Sequence, residues 1–210
     1  MRTFNASTRP RAAPATMHHP RRKHSAGAVR IVAGRLRGSR IPVPEQDGLR
    51  PTPDRVRETL FNWLAPTIEG VRCLDLFAGT GALGIEAISR GAAWCTFVER
   101  ERALCRQLSD TLARLRVADA AEVVQADGLA WLAAPGPAYG LVFLDPPFGT
   151  DAWEAAAQAI ERGGRLAEGG VAYVESPREV QPRLPANWTL HREGHAGAVR
   201  FALHRRGAVK

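Results

Sequence analysis

The chain has 210 residues, 45% of them hydrophobic, enough to build one domain around a sizeable core. No run approaches the roughly 18 apolar residues of a membrane span, and Cys73, Cys95 and Cys105 lack paired or His-partnered spacing, so they read as core side chains rather than disulfides or metal ligands. The net charge of +8 is uneven: residues 1–44 hold ten of the 29 Lys and Arg residues and none of the 21 Asp and Glu, a distribution that suits a polyanionic partner.

Residues 1–27 are rich in Arg, Ala, Pro, His and Ser without apolar periodicity, and are expected to form a disordered tail ahead of a single domain over 28–210. An Arg-rich, acid-free segment is also the composition of a transit peptide. Residues 28–44 predict a basic β-hairpin, with Val29-Arg30-Ile31-Val32 and Ser39-Arg40-Ile41-Pro42-Val43 flanking a turn that contains Gly34 and Gly38. Arg30, Arg35, Arg37 and Arg40 cluster there without an acid. They guard a sheet edge or contact nucleic acid, and the clustering favours the second.

Leu49-Arg50-Pro51-Thr52-Pro53 leads into a helix, with Thr52 as N-cap, Pro53 at the first position and Asp54 in the first turn. Val56, Leu60, Trp63 and Leu64 share its core stripe, whereas Arg50, Arg55, Arg57 and Asn62 fall on a solvated face, with Arg50 a candidate substrate contact.

The apolar run from Val71 to Leu76 carries Asp75, breaks at Gly79-Thr80-Gly81 and resumes as Ala82 to Ile88, which reads as strand, glycine turn, helix. Glycines at 79 and 81 permit positive φ and close backbone approach to a ligand, and Gly84 permits close helix–strand packing. A nucleotide-like cofactor suits the helix N-terminus. Gly79, Gly81 and Gly84 match a dinucleotide-binding pattern, with Glu99 placed to accept from a ribose. Asp75, however, would oppose a diphosphate and favour a cationic ligand such as S-adenosylmethionine.

Ala92 to Glu99 predicts the next strand, followed by a helix through Leu104, Leu108, Leu112 and Leu115. Glu122 to Asp127 is a third acid-terminated strand, and Asp127 suits either an adenine amino group or the cap of the turn Gly128–Leu132. Tyr139 to Leu144 delivers Asp145-Pro146-Pro147-Phe148 at a strand's carboxyl end, where open α/β sheets bind ligands. Its prolines remove two backbone donors, leaving the Asp145 carboxylate and Pro146 carbonyl as acceptors for an exocyclic amino group, with Phe148 as a stacking face. A helix over 151–160, a strand over 170–175 and an antiparallel pair, 188–191 with 198–204, complete an alternating α/β pattern.

On these residues the chain resembles the class I S-adenosylmethionine-dependent methyltransferases, and more narrowly the RsmD family, which methylates a guanine N2 amino group in small-subunit (16S) ribosomal RNA. The resemblance runs from about Val29 to Arg206. It rests on Ile31-Val32-Ala33-Gly34 with Leu36-Arg37-Gly38, Arg50-Pro51-Thr52 leading to Val56-Arg57-Glu58-Thr59-Leu60-Phe61-Asn62-Trp63-Leu64, Asp75-Leu76-Phe77-Ala78-Gly79-Thr80-Gly81, and Asp145-Pro146-Pro147-Phe148. It implies a Rossmann-like, doubly wound, seven-stranded and mostly parallel sheet with an antiparallel last strand, preceded by the hairpin. It also implies that Asp75, Phe77, Ala78, Gly79, Thr80 and Gly81 line the cofactor's methionine side, that Glu99 holds its ribose, that Asp127 and Gly128 meet its adenine, and that Asp145 to Phe148 hold the target base. Arg30, Arg35, Arg37, Arg40 and Arg50 would then face 16S rRNA in the small ribosomal subunit, and the protein would act as a cytoplasmic monomer without metal or membrane.

Three rival readings stay open at this point. A DNA adenine-N6 or protein glutamine methyltransferase uses a similar Pro-Pro-aromatic turn. An NAD(P)-dependent oxidoreductase shares the glycine loop but leaves Asp145-Pro146-Pro147-Phe148 unexplained. A non-catalytic RNA-binding assembly factor needs only the hairpin.

Overall fold

The computed structural model describes residues 27–44, 52–147, 150 and 152–208. The tail over 1–26, Arg50, Pro51, Phe148 and Asp151 lie outside the described residues.

A short antiparallel pair, β1 (Ala28–Arg30) with β2 (Arg40–Pro42), precedes helix α1 (Asp54–Leu64). There follow β3 (Arg72–Asp75), α2 (Ala82–Ser89), β4 (Trp94–Glu99), α3 (Arg102–Arg114), β5 (Ala121–Gln125), α4 (Gly128–Leu132), β6 (Tyr139–Leu144), α5 (Ala152–Arg162), β7 (Leu166–Pro177), β8 (Trp188–Ala196) and β9 (Val199–Arg206). The main sheet has seven strands in the order β5-β4-β3-β6-β7-β9-β8. Its first five are mutually parallel, whereas β9 slots between β7 and β8 and runs antiparallel to both. The expected Rossmann-like sheet with an antiparallel last strand is therefore present. β7 is longer than the predicted 170–175, because a bulge opposite β6 carries pairing back to Leu166.

Helices cover both faces, and the apolar strand interiors follow from that, since a sheet buried on both sides has no polar face to offer. One core joins α1, α2 and α3 to Cys73, Cys95, Phe97, Phe143 and Tyr173; the other joins α5 to Leu74, Val98, Val142, Leu144 and Val174. The three cysteines are buried and free. In α3, Leu104, Leu108 and Leu112 recur every fourth position and are buried, as the periodicity predicts.

Two expectations for α1 are corrected. Thr52 is not its N-cap: Pro53 occupies that position without a side-chain cap, and the Thr52 hydroxyl donates instead to Glu175 Oε2 at 3.0 Å. Arg57 is not solvated: it is wholly buried, because it shares a helical face with Leu60, Phe61 and Leu64 and finds acceptors there. Arg55 and Asn62 are exposed.

The chain leaves β3 toward β4 on one side and later returns to β6 on the other, so the winding reverses at β3 and a crevice opens at the carboxyl ends of these strands. All eight residues of α2 are buried beside it. The strand that Gly84 meets is β4: a Cβ at this position would overlap the Phe97 ring and lie 2.6 Å from Cys95 Sγ. Gly84→Ala is thus expected to destabilise the protein by about 1–3 kcal/mol despite alanine's better helix propensity. Denaturant unfolding reads this directly, and an unchanged midpoint would contradict the packing.

Candidate active site

The crevice is a cavity of about 350 Å³, within the range of small-molecule sites. Its wall includes Asp75, Phe77, Ala78, Gly79, Thr80, Glu99, Asp127, Gly128, Asp145, Pro146 and Pro147, so the structure brings together most of the sequence-predicted set. Gly81 is the exception. Its φ of 77° confirms the need for glycine, but a Cβ there would strike Leu108 of α3 rather than reach the cavity. Gly79, with φ 52°, makes the turn that does line it.

Three of the acids, Asp75, Glu99 and Asp127, are held by the backbone around them. Asp75, at the end of β3, is 3% exposed, and its Oδ2 accepts the Gly84 N–H at 3.1 Å, so it caps α2 from outside the helix. Burial, with Glu99 adding repulsion, pushes its pKa up to about 7 although the Gly84 hydrogen bond opposes the shift. The Glu99 carboxylate accepts the N–H groups of Gly79 and Glu101, each at 2.8 Å, which ties the glycine turn to the end of β4. Asp127 Oδ1 caps α4 by accepting the Ala130 N–H at 3.0 Å, which is the second of its two sequence readings, and the residue also lines the cavity. A Cβ on Gly128 would lie 3.0 Å from Phe77 Cε1 and 3.1 Å from the Leu76 carbonyl, which leaves little room for any other residue.

Asp145 follows β6 directly. Burial first, then repulsion from Glu175 and Asp75, hold its carboxyl well above the usual carboxylate range. Glu175 was missed as a site residue. It stands at the carboxyl end of β7, lines the same cavity, and is 4% exposed. Its Oε2 accepts the Thr52 hydroxyl at 3.0 Å and the Tyr173 hydroxyl at 2.7 Å, and burial raises its pKa as well. The signal was an acid ending a strand, the same mark that singled out Asp75, Glu99 and Asp127.

Among the described residues in the wall there are six carboxylates, Asp75, Glu99, Glu101, Asp127, Asp145 and Glu175, and one cation, the exposed Arg100, which is paired with Glu101 at 3.6 Å. A dinucleotide diphosphate would face this acidic wall at high cost. The ammonium and sulfonium of S-adenosylmethionine fit it. The NAD(P)-dependent reading therefore fails on the donor set.

Away from the cavity, the hairpin is seated on the far end of α2. Glu86, wholly buried, accepts the N–H groups of Val32 at 2.8 Å and Ala33 at 3.0 Å, and is bonded by Arg90 Nε at 2.8 Å and Arg57 Nη1 at 3.4 Å. Ser89 Oγ accepts from the Leu36 N–H and donates to the Ala33 carbonyl, and Gly34 packs so close to Ser89 that no Cβ would fit. This frame holds Arg30, Arg35, Arg37 and Arg40 exposed. Arg30 lies 4.0 Å from Asp54, a solvated pair of little energy.

Comparison with known proteins agrees with this geometry. The family model described as Conserved hypothetical protein 95 matches residues 29–205. The Escherichia coli strain K12 protein named ribosomal RNA small subunit methyltransferase D is 49% identical over 183 residues, covering 87% of this chain and 92% of that protein. Its namesake from Haemophilus influenzae is 42% identical, covering 85% and 94%. The solved structure of the Escherichia coli yhhF methyltransferase superposes with a TM-score of 0.82 at 47% identity, covering 87% of this chain and all of that one. A Salinibacter ruber RNA methyltransferase solved with S-adenosyl-L-homocysteine shares the fold at a TM-score of 0.58 and 18% identity, covering 77% and 96%. On this match the chain belongs to the Conserved hypothetical protein 95 family, the RsmD methyltransferases.

Proposed function

We propose that this protein transfers a methyl group from S-adenosylmethionine to the N2 amino group of a guanine in 16S rRNA, acting in the cytoplasm as a monomer on the small ribosomal subunit. The observation that carries the reading is the Asp145-Pro146-Pro147 turn opening onto a cavity walled by carboxylates. The relatives named for small-subunit ribosomal RNA supply the substrate class, and the exposed arginines of the hairpin offer it a phosphate-binding face.

When bound, S-adenosylmethionine supplies a methyl group activated by its sulfonium. The rest is the work of the chain. Guanine N2 is a weak nucleophile because its lone pair is delocalised into the ring. Asp145 and the Pro146 carbonyl accept its two N–H bonds, turn the lone pair toward the methyl, and favour a pyramidal nitrogen. Pro146 and Pro147 lack N–H groups, so no donor competes at the turn. The raised proton affinity of Asp145 suits its carboxylate to take the proton released as the N–C bond forms. A base must leave its stack to enter, so the target nucleotide is unpaired or flipped.

The test is methyl transfer from labelled cofactor to small subunits lacking the modification, followed by nucleoside analysis. Label in N2-methylguanosine at a single site supports the proposal. Label in N6-methyladenosine, or transfer only to DNA or protein, would overturn it in favour of the adenine or glutamine readings.

A further inference from the structure

A buried carboxylate beside the half-buried Asp145 carries a cost that the fold does not explain. Leu144 of β6 and Val174 of β7 are register partners on parallel strands, whose backbones lie about 4.8 Å apart, and the next residues are Asp145, just past the end of β6, and Glu175 of β7. Side chains in register share a face, and both residues line the cavity. Two anions in that position repel, and burial penalises each. No cation among the described residues pairs with Glu175. Its structural duty, accepting the hydroxyls of Thr52 and Tyr173 on Oε2, needs only an oxygen, and a glutamine would serve. These two bonds fix the carboxylate's orientation and leave Oε1 without a hydrogen bond from any described residue.

Guanine presents its N1–H and one N2 hydrogen on the Watson–Crick edge, and the second N2 hydrogen points to the adjoining minor-groove edge. Three donors require three acceptors, and the cavity holds them at Glu175, Asp145 and the Pro146 carbonyl. Adenine sets a bare ring nitrogen next to its amino group, and a carboxylate opposite that lone pair would repel it. We infer that Glu175 is the specificity-determining residue that reads the target guanine, its Oε1 accepting the N1–H while Asp145 and Pro146 hold the N2 amino group. Thr52 and Tyr173 are positioning residues that aim it. This inference rests on the proposed methylation of guanine N2.

2-Aminopurine separates the possibilities, because it keeps the 2-amino group but has an unprotonated N1. Small-subunit RNA carrying guanine or 2-aminopurine at the modified position is offered to the wild type, Glu175→Gln and Glu175→Asp. The wild type is expected to prefer guanine by at least about a hundredfold in kcat/KM, a lower bound on the roughly 10⁴-fold with which a site built for a donor rejects an analogue without it. Glu175→Gln, whose amide can donate to a bare N1, is expected to narrow that preference at least tenfold, chiefly by losing activity on guanine while activity on 2-aminopurine holds or rises. Glu175→Asp keeps the charge and is expected to retain the preference at a lower rate. Cofactor affinity, measured by titration on each variant, stays close to wild type. An equal loss on both bases in Glu175→Gln, or no change on either, overturns the assignment and leaves Glu175 a structural acceptor. No methylation of the guanine RNA by the wild type overturns the underlying reaction instead, and is seen before any variant is made.

Discussion

Asp145→Asn is expected to abolish methyl transfer while making the free protein more stable at neutral and alkaline pH. The loss of rate should be at least about a hundredfold, on the scale of removing one well-placed group that acts on charge developing in the transition state. An amide presents a donor as well as an acceptor to the amino group and cannot take its proton. The gain in stability comes from the same carboxylate. Burial and the repulsion of Glu175 and Asp75 raise its folded-state pKa well above the value near 3.9 that an aspartate has in an unfolded chain. A group raised on folding favours the folded state fully below its unfolded pKa, and that contribution is lost as pH rises through the folded pKa. The wild type therefore carries the penalty at pH 8, and the variant does not. Below about pH 4 the two should unfold alike. Thermal unfolding at pH 4 and pH 8, together with a cofactor titration and a single-turnover assay, checks the three parts. A variant that is inactive and also fails to bind cofactor, or one destabilised at pH 8, would show that Asp145 supports the fold rather than the reaction.

The combination describes how the site is made. Asp75, Asp145 and Glu175 end three adjacent strands, β3, β6 and β7, and all three have their pKa values raised by burial. The sheet, buried on both faces, supplies the stability that lets these ends remain strained by charge. In the proposed reaction a cationic cofactor and a donor-rich base relieve the strain on arrival, so affinity is built from a cost already present in the free protein.

Much of this was legible because strands in a doubly wound sheet read as apolar runs, and a polar residue at the end of such a run stands out. Asp75, Glu99, Asp127 and Asp145 were found in that way, and the crevice falls where the strand order reverses. The misreadings have one cause, which is that a partner remote in sequence outbids a local rule. Thr52 fits the cap of α1, yet its hydroxyl goes to Glu175, 123 residues away. Arg57 was read as lying off the stripe of Val56, Leu60, Trp63 and Leu64, although it shares a buried face with Leu60, Phe61 and Leu64. Its partner Glu86 lay hidden in an otherwise apolar helix. Glu175 carried the same mark as the other acids and lacked only a motif around it.

Arg57→Ala is expected to cost about 3–5 kcal/mol in stability, the range for removing one member of a buried ion pair. The guanidinium has no exposure to solvent and meets four acceptors: the carbonyl of Thr52 at 3.2 Å, the carbonyl of Arg30 at 2.8 Å, Asp54 Oδ1 at 2.6 Å and Glu86 Oε2 at 3.4 Å. Its loss removes the donor to the buried Thr52 carbonyl and to the half-buried Arg30 carbonyl, and weakens the compensation of Glu86, which is left with Arg90 and the amides of Val32 and Ala33. Two consequences separate in space. The hairpin loses one of the bonds that seat its arginines, so RNA affinity should fall more steeply than the loss of a single surface charge would cause. The entry to α1 loosens at Thr52, which aims Glu175, whereas Asp75, Glu99 and Asp127 are held by other bonds and cofactor affinity should change little. Glu86→Gln is the companion variant: it turns one of the two acceptor oxygens into a donor facing the Val32 or Ala33 amide and an arginine, while leaving Arg57 paired with Asp54, and a loss of stability is expected there too. Denaturant unfolding of both variants, with RNA and cofactor titrations under conditions where each is folded, decides the matter. A stability loss below about 1 kcal/mol for Arg57→Ala would mean that Arg90 alone neutralises Glu86, and equal losses of RNA and cofactor affinity would mean that α2 transmits the damage to the cavity.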